Sequence, residues 1–90
     1  MFIVVNRCFG GFGLSQMAIE ALGVEYDFEV DRCDERLVNL INTFGSEAVS
    51  GTYAKLDVVE IPEDATDWEL DEYDGCENII CVIDGKIQHL

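Results

Sequence analysis

The chain reads as a small α+β protein. Residues 1-90 form a single domain with a mostly antiparallel sheet of about four to five strands, two helices on one face and a C-terminal β-hairpin. Three observations predict this. Two stretches place apolar residues at helical spacing, each opened by a capping side chain and closed by a glycine. Other stretches are short, apolar and β-branched, as strands are. Near the C-terminus, two strand-like runs flank Asp84-Gly85, a pair suited to a type I′ turn.

The elements follow in the order β-α-β-α-β-β-β. Phe2 to Val5 suits a buried strand. After a glycine-rich turn, Ser15 caps a helix whose inner face is Leu14, Met17, Ala18, Ala21 and Leu22, with Gly23 as its stop. From Val24 to Asp31 apolar and acidic residues alternate. That predicts a strand with Val24, Tyr26, Phe28 and Val30 inward, an extended loop being the competing reading. Asp34 caps a second helix with Leu37, Val38, Leu40, Ile41 and Phe44 as its buried stripe, ending at Gly45. Ser46 to Ala48 add a turn. Thr52 to Ile61 reads as a long strand that Pro62 ends or marks as an edge. A loop and a short strand follow, then the closing hairpin of Glu77–Ile83 and Lys86–Leu90.

Size and charge narrow the function. A chain of 90 residues buries only about 60–65% of its unfolded surface, so its stability margin is small. Apolar residues are 49% of it, enough for a real core. Nineteen acidic residues against five basic ones give a formal charge of −14. Such a field repels nucleic acid and anionic membranes, and it suits a basic partner protein or a homo-oligomer. The start of the chain lacks a basic, apolar leader, and no stretch approaches a membrane span. A cytoplasmic protein with Cys8, Cys33, Cys76 and Cys81 as reduced thiols is expected. The cysteines contain no C-x-x-C pair, so neither a zinc site nor any other metal or cofactor is indicated.

The first candidate for function is the turn after the first strand. Gly10, Gly11 and Gly13 let the backbone bend sharply, and the Ser15 helix start presents free N–H groups. Such a place favours a carboxylate or a phosphate, and Arg7 at its mouth adds a permanent cation. A ligand site here would comprise Asn6, Arg7, Gly10, Gly11, Phe12, Gly13 and Ser15, with Tyr73 and the Asp74-Gly75 turn closing it from the facing strand. Neither the dinucleotide fingerprint nor the Walker pattern is matched, because Gln16 stands where the third glycine belongs and no Gly-Lys-Ser/Thr follows. The competing reading is a connection that needs glycine only to turn.

Three further features carry chemistry of other kinds. Cys8 lies beside Arg7 near a helix start, a setting that lowers a thiol pKa, but the only histidine is the remote His89 and packing is the simpler role. Between Asp57 and Asp74 stand nine acidic residues and no basic one, with Trp68 and Tyr73 among them. This is a solvated face or a partner surface; the calcium-loop spacing is absent. Arg32 and Arg36 lie four apart. With Arg7 they would make a positive site, or singly they relieve repulsion from Asp31, Asp34 and Glu35.

Asn6-Arg7-Cys8-Phe9-Gly10-Gly11-Phe12-Gly13-Leu14-Ser15 resembles the opening of a group of short phage and prophage proteins. That opening runs Asn-Arg/Lys-Cys-aromatic-Gly-Gly-Phe-Gly/Ser-Leu-Ser. Val58-Val59-Glu60-Ile61-Pro62, Asp67-Trp68-Glu69 and Asp71-Glu72-Tyr73-Asp74-Gly75 resemble the group's second block; the tail after Glu77 departs from it. The resemblance implies a bacterial cytoplasm during phage infection, or a prophage, and it carries over no catalytic residue. Three functions follow as expectations. One is a non-catalytic binding protein that sequesters a small anionic, nucleotide-like ligand at the glycine loop. Another is an acidic inhibitor docking on a basic host protein. The last is a thiol-dependent enzyme.

Overall fold

A computed structural model describes residues 1–90. The α+β class holds, with five strands, all paired antiparallel. The strands are β1 (Phe2–Asn6), β2 (Leu56–Glu60), β3 (Ala65–Tyr73), β4 (Cys76–Ile83) and β5 (Lys86–His89); the helices are α1 (Gln16–Leu22), α2 (Glu35–Phe44) and α3 (Ser46–Val49). The strands divide into two sheets, β1-β2 and β3-β4-β5, rather than the expected one.

The β1-β2 ribbon is the middle of three layers. Val4 and Leu56 face the helices, among Leu14, Ala18, Leu22, Leu37, Ile41 and Val49. Ile3, Val5 and Val59 face the other way, against Ile61 and Ile79 of the second sheet. A strand covered on both faces must be apolar at consecutive positions, which explains Ile3-Val4-Val5. The sheets remain separate because the outer edge of β1 is already engaged. Val4 N–H donates to Arg32 O, and Asn6 N–H donates to the Glu77 carboxylate. No strand can add there.

The predicted helix signals hold. Ser15 Oγ accepts from Ala18 N–H, and Gly23, at φ 69°, closes α1 by donating to Ile19 and Glu20 carbonyls. Asp34 accepts from Arg36 N–H at the start of α2. Met17, Ala21 and Phe44, expected inside, are exposed. Both tight hairpin turns have the positive φ pair of a type I′ turn, at Asp74-Gly75 and Asp84-Gly85.

Two predicted strands need correction. Val24 to Asp31 is not a strand but a loop holding one 3-10 turn, Asp27–Glu29. Glu29 accepts from the N–H groups of Glu25 and Tyr26, so a local side chain curls the backbone away from the extended form. Of the four residues predicted inward only Val30 is buried; Phe28 is 83% exposed and stacks on Tyr26. The strand expected over Thr52 to Ile61 shortens to β2, because Gly51 to Lys55 turns over the glycine loop. Conversely β3, expected to be short, runs nine residues with a bulge at Thr66. No helix is long and apolar enough to cross a membrane.

Candidate functional site

The glycine loop leaves the end of β1, and its neighbours decide what it can do. Asn6 is fully buried. Its Nδ2 donates to the carbonyls of Cys8 and Gly75, and its Oδ1 accepts from Lys55 and Cys8 N–H, so one amide ties β1, β2 and the β3-β4 turn together. Arg7 is equally engaged. Nε donates to Asp57 at 3.2 Å, Nη1 to Asn78 Oδ1 and the Glu77 carbonyl, and Nη2 to the Leu90 carbonyl. Four of the five guanidinium N–H groups thus have partners within the chain. Arg7 joins β1 to β2, β4 and the C-terminal residue instead of standing free at the loop mouth.

The glycines at this joint are steric requirements. A Cβ on Gly10 would stand 2.1 Å from the Tyr53 carbonyl oxygen, and one on Gly75 would stand 2.6 Å from Gly11 N. The glycine loop and the β3-β4 turn, far apart in sequence, therefore meet, through Gly75 on Gly11 and through Asn6 on Gly75. Gly11 has φ 90°, a conformation an L side chain rarely adopts.

The loop's attraction for negative charge is partly met by the chain itself. Leu14 N–H donates to Asp27 Oδ2 at 3.2 Å, Ser15 N–H to Val49 O, and the Ser15 hydroxyl to Ala48 O. The amides of Gly10, Phe12 and Gly13 have no partner. A cleft of about 270 Å³ opens beside them, lined also by Tyr53 and Asp27, and one of about 450 Å³ lies between Phe12, Phe28 and Arg32. Tyr73 lines neither; it is 76% exposed. Cys8 is half-buried, all four cysteines are unpaired, and no three metal-ligating side chains converge.

Beneath the loop lies a pair that the sequence reading missed. Glu77 is buried and takes the Arg32 guanidinium on both oxygens, at 2.6 and 2.8 Å, as well as the Asn6 N–H. Arg32 also lies 3.7 Å from the centre of the Phe12 ring. Burial pushes the Glu77 carboxyl up, but the Arg32 and Asn6 hydrogen bonds and the Arg32 charge outweigh it and hold the group below its ordinary value. One signal was available in the sequence: in the hairpin register Glu77 shares the inward face with Ile79 and Cys81. Arg36 behaves as expected of a surface cation, paired to Asp34 at 2.9 Å and holding that carboxyl low. The three arginines are separated by their own carboxylates and form no common positive site.

The acidic run lies along β2, the β2-β3 connection, β3 and the turn after it. All nine acidic residues from Asp57 to Asp74 are exposed, and only Asp57 has an ion-pair partner. Asp67, Glu69 and Asp71 form one row on the outer face of β3, beside half-buried Ile80 and Val82 and exposed Ile87. Trp68, on the opposite face, is 36% exposed.

The fold and its surface define a class: a small three-layer α+β protein with a cross-braced loop and one acidic, apolar-centred sheet face. Compared with known proteins, the chain matches no family model, no curated protein and no solved structure.

Proposed function

We propose that the chain is a non-catalytic binding protein that docks, through its acidic three-stranded sheet, on a basic protein. The observation that carries this reading is the set of eight exposed carboxylates between Glu60 and Asp74 without a cationic partner. Every arginine is bound elsewhere and neither Lys55 nor Lys86 forms an ion pair, so these carboxylates have no cationic partner within the chain. A basic surface does this on contact, and long-range attraction speeds the encounter. The phage-type resemblance would make the partner a bacterial host protein and the bound chain its inhibitor. Capture on the immobilised chain at low and high salt tests the reading. A basic protein should be held at low salt, released at high salt, and not held by D67N/E69Q/D71N. Equal retention by wild type and triple variant contradicts it.

A second reading places a small nucleotide-like anion on the loop. The unpartnered amides of Gly10, Phe12 and Gly13 support it; the engagement of Arg7 and the presence of Asp27 in the same cleft oppose it. A rise in thermal midpoint with added nucleotide or inorganic phosphate would favour it, and no rise would end it.

A further inference from the structure

The open edge of β3 extends the docking reading, on which this inference rests, to a mode of binding. β3 is nine residues long and hydrogen-bonded to β4 alone. Which backbone groups face outward follows from β4. Leu90 N–H donates to the Ile79 carbonyl, so odd-numbered residues of β4 aim their backbone at β5 and even-numbered ones at β3. The β3 residues opposite Asn78 and Ile80 are Asp71 and Glu69. Those bond to β4, and the N–H and C=O groups of Trp68, Leu70 and Glu72 face away from it. The Trp68 N–H agrees, since it donates to Asp67 Oδ1 at 2.9 Å.

An unpaired edge of this length is a template for another strand, and the side chains decide whose. A second copy is disfavoured. Antiparallel self-pairing centred on Leu70 sets Glu69 opposite Asp71 twice, and like charges directly opposite destabilise a ladder. Partner residues opposite Asp67, Glu69 and Asp71 share their face, whereas those between share the face of Trp68 and half-buried Leu70. We propose that the β3 edge accepts an extended segment of a basic protein as an added strand. Its Lys or Arg residues alternate with apolar ones, the basic side chains meeting Asp67, Glu69 and Asp71.

Trp68 is the only tryptophan, so its fluorescence reports binding at this edge directly. The probe is a synthetic peptide alternating Lys and Val; the controls are the same composition with the lysines in one block and a peptide with Glu for Lys. The alternating peptide should bind at least about tenfold tighter than the block peptide, a margin that one or two net backbone hydrogen bonds supply. The Glu peptide should not bind. Glu72→Pro removes an outward N–H and should weaken binding beyond Glu72→Gln, which removes only the charge. On binding, the Leu70 and Glu72 amides should gain protection from hydrogen exchange. If the block peptide binds equally and those amides stay unprotected, strand addition is wrong and general docking stands. If no basic peptide binds at low salt, both fall.

Discussion

Replacing Glu77 by glutamine is the sharpest probe of the joint beneath the loop. Glutamine keeps one acceptor for Asn6 N–H and Arg32 Nη1. Its NH₂ replaces the oxygen that Arg32 Nη2 meets at 2.8 Å, so a charge-assisted bond is lost and two donors face each other. Breaking a buried ion pair costs about 3–5 kcal/mol. The Arg32 side chain is 27% exposed and water reaches it, so a loss of about 2–3 kcal/mol is expected. For a domain this size that is a large share of a total of roughly 5–13 kcal/mol. With a urea slope near 1 kcal/mol/M, the denaturation midpoint should fall by about 2–3 M. The pH dependence supplies an internal check. The folded Glu77 carboxyl is held below the ordinary 4.5, so its stabilisation is complete above that value and is lost as pH falls further. The gap between wild type and E77Q should be full at neutral pH and narrow steadily in more acid solution, where Glu77 is itself protonated. Equal midpoints at neutral pH, or a gap that survives full protonation, would refute the reasoning.

Three further outcomes are expected. Gly75→Ala combines φ 88° with a Cβ 2.6 Å from Gly11 N, and should cost about 3–4 kcal/mol. Gly85→Ala has a similar φ but open space, and should cost only about 1–2 kcal/mol; equal urea midpoints for the two variants would deny the close crossing at Gly75. Moderate sodium chloride should raise the thermal midpoint of the wild type, because screening relieves the repulsion of a −14 chain; a flat or falling midpoint would mean the acids are already compensated. The Cys33 thiol is pushed up by burial and by Asp31, so its alkylation should be slower than that of a free thiol at neutral pH and should accelerate only in more alkaline solution; mass mapping of the labelled cysteine checks this.

Features written in neighbouring residues were legible in the sequence. Ser15, Gly23 and Asp34 announce helix ends because a cap is a contact within one turn, and Asp84-Gly85 announces its hairpin because the turn itself demands positive φ. What depends on distant partners was not. The alternation from Val24 to Val30 suits a strand, yet the adjacent edge of β1 is occupied by Arg32 and Glu77, and a strand without a neighbour gains nothing from being extended. The division into two sheets follows from the same occupied edge.

The candidate site shows the same division. That Gly10, Gly11 and Gly13 form a special turn is visible in the chain; that Tyr53 and Gly75 press against it from distant segments is not. Arg7 looked like a ligand cation because its partners Asp57, Asn78 and Leu90 lie far away in sequence. The acidic run was visible from composition, but the placement of Asp67, Glu69 and Asp71 in one outer row of an open-edged sheet comes only from the hairpin register.

The most direct measurement is the dissociation constant for one basic partner protein across a salt series, with wild type and D67N/E69Q/D71N side by side. Wild type should bind at least about tenfold more tightly at low salt, and the two curves should converge as salt rises. Parallel curves, or a triple variant that binds as well as wild type throughout, would show that the acidic row of β3 is not where this protein meets its partner.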